Sequence, residues 1–426
     1  MFRIIKRFVL LLVAFSIPIE FLGADIGITT VTPIKVTAVL LVLAMFLRVV
    51  FESRPYPRDR MIPWIAALML SVLTSSLIGY AAGIPVPNLV SLDVTWFSMF
   101  LLYIGMNYLI DDLDDVDLFT RWLAYGGVFV AVTAALGMGY QIVSSEGVRQ
   151  GGYGGNVNQL GANLSIAFPL AAVFLLESQS VARRLSIFAV LAVHLGGMVM
   201  TLSRSTYLAV GVMGLWWFIR YARPGTTARL ILPGFVLISA LLVLAPESFY
   251  ERIITVAPAG QASDDSIRLR LQKQFPDAIN MFASNPIAGV GILRTVSWSN
   301  EFGRKSGNVI HNSYLQLAAE HGLLGLVPFS AISLLAWLQI GQLIRRARSP
   351  GASETIRRIG TRAIYLQIAL IGVYVNSLTH ATLRDKGPWL VFALSSILVT
   401  LMRRNRSAEV GKATDLQTNE TTSASA

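Results

Sequence analysis

Long apolar runs broken by short polar, arginine-rich stretches dominate this chain. Runs of about twenty residues, enough to cross ~30 Å of hydrocarbon as a helix, fall near 7–24, 34–51, 61–82, 90–110, 122–143, 157–176, 184–202, 205–221, 229–246, 322–344, 361–379 and 387–402. They predict twelve transmembrane helices and an all-α polytopic membrane protein. The first run follows "MFRIIKR", which resembles a signal-peptide start. No small-residue cleavage site follows, so it reads as a span whose far end is made irregular by Pro18 and Glu20. One segment breaks the rhythm: about 65 residues, 246–310, separate the ninth and tenth spans and predict short helices outside the membrane. The polar tail 404–426 reads as disordered, leaving 1–403 as one integral membrane domain.

Basic residues orient the spans. "MFRIIKR", "RVVFESRPYPRDR", the "ARR" at 182–184, "RYARPGTTAR", "RRARSPGASETIRRIGTR" and the "RRNR" at 403–406 all fall on one side if twelve spans alternate. That side is the cytoplasm by the positive-inside rule, and both termini lie there. The acidic "DDLDDVDLFTR" at 111–121 shares this side and reads as a solvated loop, since acids contribute little to orientation. Composition agrees with a bilayer as solvent: 426 residues, 54% hydrophobic, 14% charged, mean hydropathy +0.60. The net charge of +11 would suggest nucleic acid in a soluble chain. Here the arginines act as orientation signals, which argues against that partner. With no cysteine, disulfides, thiolate metal sites and cysteine nucleophiles are excluded.

The opposite, periplasmic face collects the unexpected polar groups: Arg149, Asn158, Arg204, Arg268, Arg270, Arg294, His311, His380 and Arg384. Arginines there run against the orientation bias and need another reason. Arg204, in "MTLSRSTYLAV", has apolar flanks and almost no loop. It either snorkels to lipid phosphates or clamps a phosphate with its two-pronged guanidinium. Arg268 and Arg270, two apart, point to different faces of a short amphipathic helix, so one faces a site while the other pairs with an acid such as Asp264 or Asp265. Gly289 and Gly291 allow tight backbone of the kind that binds phosphate. His311 stands where the outer segment returns to the membrane, and its neutral imidazole is a usable base near neutral pH.

The stretch "NPIAGVGILR", then "HNSYLQLAAEHGLLG" with His-Asn, nine residues, Gly, two residues, Gly, resembles the signature of the O-antigen ligase and O-antigen polymerase superfamily of bacterial membrane glycosyltransferases. The similarity extends to "VRQGGYGGNVNQLGANLSIAFPL" and to "TLSRSTYLA", covering roughly 145–345. The resemblance implies transfer of a glycan from undecaprenyl diphosphate to a hydroxyl acceptor, a glycan or a lipid-linked sugar such as a lipopolysaccharide core, on the periplasmic face. It implies no metal, cofactor or nucleotide sugar. His311 matches the family's general base, Arg204 its first diphosphate-binding arginine and Arg270 the second, with Arg268 kept open because the aromatic that follows is Phe275 and slightly displaced. Arg149, Asn158 and Asn312, within the similar stretch, and His380 and Arg384, on the same face beyond it, are the candidate supporting or acceptor-binding residues. The resemblance is read as ligase-like with a polymerase of O-antigen or exopolysaccharide as the alternative, and "LVP" at 326–328, in place of the ligase's Thr-x-Gly, weakens ligase against polymerase.

The chemistry stands without the analogy. A lipid diphosphate is already a good leaving group, so neutralising its charge, orienting a hydroxyl and removing one proton suffice. A secondary transporter is the alternative of another class, but transporters place ionisable groups near mid-membrane. Only His194 lies centrally here, and it reads as a histidine hydrogen-bonded between helices.

Overall fold

The computed structural model describes residues 2–19, 22, 24–25, 30–52, 55–144, 147–222, 270–294 and 310–424. The chain is an all-α polytopic membrane protein. Its long helices are α1 (Phe2–Ser16), α2 (Pro33–Glu52), α3 (Ile62–Ala81), α4 (Val86–Leu109), α5 (Leu113–Ala135), α6 (Val157–Glu177), α7 (Val181–Met200) and α8 (Arg204–Tyr221). A π-helical turn, Arg270–Gln274, leads into the short α9 (Phe275–Ser284), followed by α10 (Ser313–Ala347), α11 (Glu354–Thr379) and α12 (Lys386–Ala424). Two small antiparallel pairs complete the chain: β1 (Ala24–Asp25) with β2 (Thr30–Val31), and β3 (Tyr140–Ser144) with β4 (Gly147–Gly152).

Eleven of the twelve predicted spans coincide with a helix; the other, 229–246, lies outside the described residues, as do Arg268 and most of 246–310. Eight helices among the described residues are long and apolar enough to cross a membrane. α1, at 15 residues, is shorter than its predicted span because the helix ends at Ser16, before Pro18. α12 runs on to Ala424, past the apolar segment that ends at Met402.

α12 is the centre. Its segment from Trp389 to Leu398 is buried without interruption, as expected of a helix that is apolar all round, and it is ringed by α4, α10 and α11. Outer helices keep apolar side chains on the surface, for example Val39, Phe46 and Phe51 of α2. His194 of α7 is buried, but its Nδ1 lies 2.8 Å from the Val190 carbonyl of the same helix, so it bonds within α7 rather than between helices.

The stretch "DDLDDVDLFTR" is not a solvated loop. Asp112 caps α5 by accepting from the Asp115 amide at 2.8 Å, so the acids form the helix's first turns. Asp115 and Asp117 are buried. Lys6 lies 2.5 Å from Asp115 and 2.8 Å from Asp111, Arg7 2.9 Å from Asp115, and Arg48 2.7 Å from Asp111. Arg362 bonds Asp117 at 2.8 Å and also pairs with Glu177. Burial alone would raise the Asp111 pKa, but hydrogen bonds from Lys6 and Arg48 hold it below 3.8. This lattice ties α1, α2, α5, α6 and α11 together at one end of the bundle.

Candidate functional site

The opposite end is organised by a break in α10. Gly322 has φ +61° and ψ −154°, which interrupts the helix and frees the carbonyls of Ala319 and Glu320 and the amides of Leu323 and Leu324. The loop "NPIAGVGILR" occupies all four. Val290 and Gly291 donate to the Ala319 and Glu320 carbonyls at 2.9 and 3.2 Å, while Leu323 and Leu324 donate to Pro286 and Ile287 at 2.8 and 3.0 Å. A Cβ on Gly322 would meet the Ile287 carbonyl oxygen at 2.5 Å, and one on Gly289 would meet the Glu320 carbonyl oxygen at 2.5 Å. Gly289 and Gly291 have φ of +74° and +98°, values that favour glycine. These glycines therefore join two halves of one signature, and the amides of Val290 and Gly291 are consumed within the protein instead of cradling a phosphate.

That join fixes where α10 begins. Asn312 caps the helix, its side-chain oxygen accepting from the Leu315 amide at 3.0 Å while its amide nitrogen donates to the Leu378 carbonyl at 3.1 Å. The Ser313 hydroxyl donates to the His380 carbonyl at 2.9 Å and accepts from the Thr382 amide at 2.9 Å. The start of α10 is thus stitched to the end of α11, and the His311 and His380 rings stack at 5.6 Å and 18°. Both Nδ1 atoms are buried and have no hydrogen-bond partner among the described residues. Arg270 donates to the Thr379 carbonyl at 3.2 Å, and Gln274, one turn on, accepts from the His311 amide at 3.4 Å. Burial, and then the Arg270 charge, lower the His311 pKa from 6.5 to about 4. Burial with the His311 and Arg270 charges takes His380 to about 3. Burial also lowers Arg270.

Arg149, Asn158 and Arg204 form a neighbouring group. Arg149, on β4, donates to the Thr201 carbonyl at 3.1 Å and to the Asn158 side chain at 3.3 Å; Ser203, which precedes α8, donates to the same Asn158 oxygen at 2.8 Å. Arg204 is the first residue of α8. α8 runs antiparallel to α11, with Met213 beside Gly372 and Tyr221 bonded to Gln367. Nine residues of rise from Met213, at ~1.5 Å each, bring Arg204 level with the Thr379–His380 end of α11. Gln159 of α6 donates to Asp385 at 3.0 Å, linking this group to the loop that carries half-buried Arg384. The starts of α6, α8, α10 and α12 thus gather at one end, together with His311, Asn312, His380, Arg270, Arg149, Asn158, Arg204 and Arg384. Arg268 lies outside the described residues.

Sequence reasoning missed Gln274, Ser313 and Thr382, which hold His311 and His380 in place. Gln274 carried a faint signal, four residues after Arg270. The hydroxyl pair, 69 residues apart, carried none.

This end of the bundle gathers arginines and histidines at the starts of membrane helices, which defines a class: a multi-pass membrane protein with an anion-compatible site at one face. Residues 187–330 match the family model for O-antigen ligase, and that match supports assignment to the O-antigen ligase and polymerase superfamily. The matched stretch contains Arg204, Arg270 and His311. No curated protein matches the chain.

Proposed function

We propose that this protein is a glycosyltransferase that moves a glycan from undecaprenyl diphosphate to a hydroxyl acceptor at the His311 end of the bundle, on the periplasmic side. The observation that carries this reading is a half-buried His311 stacked on His380 beside Arg270, amid four helix starts. Helix N-termini favour anions, and an arginine as the first residue of α8 opposes the dipole, an arrangement that a bound diphosphate relieves. Arg204 and Arg270 hold the diphosphate; Arg149 and Asn158 brace the start of α8; Asn312, His380 and Arg384 shape the acceptor side.

In the transfer the acceptor hydroxyl oxygen bonds to the anomeric carbon, and the bond from that carbon to the diphosphate oxygen breaks. The leaving diphosphate keeps the electron pair and His311 takes the hydroxyl proton. The bound diphosphate charge also counteracts Arg270 and raises the imidazole pKa toward the range where a base works best. Transfer to a lipid-linked core is ligation and transfer to a growing glycan is polymerisation, and the product distinguishes them.

The test is His311→Ala, assayed separately for donor binding and transfer. The expected loss of rate is about 10²–10⁴-fold with donor binding nearly intact, and transfer at the wild-type rate overturns the role of His311. Reporter fusions at 147–155 and 345–361 are expected on the periplasmic and cytoplasmic sides; the reverse result moves the site to the wrong compartment.

A further inference from the structure

At the end of the bundle remote from His311, five arginines surround a cavity of about 920 Å³: Arg58, Arg60, Arg346, Arg403 and Arg406. They come from the segment before α3, the last turn of α10 and the polar continuation of α12. Arg403 and Arg406, three apart, share a helix face, while Arg404 turns away toward Asp111. All five are exposed, and among the described residues no carboxylate pairs with any of them. The one acid lining the cavity, Asp59, is already engaged, accepting from the Tyr103 hydroxyl and from the Met61 amide at 2.9 Å. Like charges collected this closely repel one another unless an anion joins them.

The neighbouring surface narrows the class of anion. A second, smaller cavity of about 140 Å³ shares Arg60, Arg346 and Arg403 and continues between α10 and α12 past Leu335, Leu338 and Val399. A cationic cup thus opens onto a mixed groove, where Leu335, Leu338, Leu343 and Val399 lie beside Gln339 and Gln342. Basic pockets of this kind between transmembrane helices bind anionic lipid headgroups. Guanidinium forks match phosphate oxygens, and several around one cavity suit a ligand with more than one phosphate oxygen face.

We infer that this arginine cup binds a phosphate-bearing anion, the headgroup of an anionic phospholipid or a free diphosphate, at a site separate from the His311 cluster. The inference does not depend on the proposed transfer reaction, since it concerns the other end of the molecule and is read by binding.

Purified full-length protein in zwitterionic nanodiscs is titrated with phosphatidylglycerol and, separately, with inorganic diphosphate, using wild type, Arg346→Gln/Arg403→Gln, and the exposed control Arg183→Gln. Saturable binding that weakens about fivefold per arginine, about thirtyfold in the double variant, and not in the control, supports the site. If phosphatidylglycerol alone shows it, the ligand is a lipid headgroup; if diphosphate shows it equally, the ligand is a free phosphate anion. Binding that is equal in wild type and double variant, or equally weakened by Arg183→Gln, overturns the proposal and leaves the arginines as orientation signals. Thermal unfolding of the ligand-free variants separates lost binding from lost folding.

Discussion

Arg362 and Arg270 occupy opposite ends of the bundle and face opposite circumstances. Arg362, almost fully buried, meets two carboxylates, bonding Asp117 at 2.8 Å and Glu177 more closely still. Arg270, half-buried, donates to one neutral carbonyl, and among the described residues no carboxylate pairs with it. The first arrangement cancels charge internally and leaves nothing for a ligand. In the second, a guanidinium is partly desolvated with no counter-ion among the described residues, an arrangement that suits an external anion. The same contrast separates Lys6, bonded to two aspartates, from His311, whose buried Nδ1 has no partner among the described residues.

The contrast breaks if the two arginines respond alike to removal. Arg362→Ala strands Asp117 and Glu177, so we expect a stability loss of about 3–5 kcal/mol, seen as lower folded yield and melting temperature, with normal turnover per folded molecule. Arg270→Ala is expected to do the reverse: near-wild-type melting and strongly reduced donor binding. Equal melting losses in both would make Arg270 another structural cation.

A second, smaller effect sharpens the role of the α10 break. Gly322→Ala places a side chain at φ +61° against the Ile287 carbonyl. The backbone strain alone costs about 1–3 kcal/mol, and refitting the loop displaces the start of α10 that carries His311. Turnover is expected to fall further than the melting temperature suggests. Gly341→Ala, in an open part of the same helix, is the control and is expected to change neither.

Much of this was legible in the sequence, for identifiable reasons. Membrane helices announce themselves because their apolar length is set by the bilayer, and the His-Asn and glycine spacings of the α10 segment are local. What escaped depends on partners distant in sequence. Nothing in "DDLDDVDLFTR" tells that Asp115 meets Lys6 or that Asp117 meets Arg362, 245 residues away, so a buried helix start reads as a solvated loop. Gly289 and Gly291 suggested a phosphate cradle because glycine-rich turns often are one. Their amide partners at Ala319 and Glu320 only become apparent once Gly322 is seen to break the helix. His380 reads from the sequence as sharing a face with His311, but its stacking on that ring follows from the Ser313 and Thr382 hydrogen bonds.

The smallest expected effect is in pH dependence, and it probes the His311 end alone. His311 is held at about 4 in the folded protein and titrates near 6.5 when unfolded. Because the folded pKa is the lower one, the unfolded chain binds more protons between these values, and stability falls as pH drops from about 6.5 toward 4. His380, held at about 3, adds to the same slope. His311→Gln removes the first contribution, so its melting temperature should fall less steeply over that window than the wild type's. The pH profile of turnover carries the matching signature. The acid limb of kcat/KM reports the free enzyme and should lie well below 6.5. The acid limb of kcat reports the donor complex, where the diphosphate offsets Arg270, and should lie higher. Coincident limbs would mean that no anion reaches the neighbourhood of His311 during turnover, and would move the donor phosphates away from Arg270.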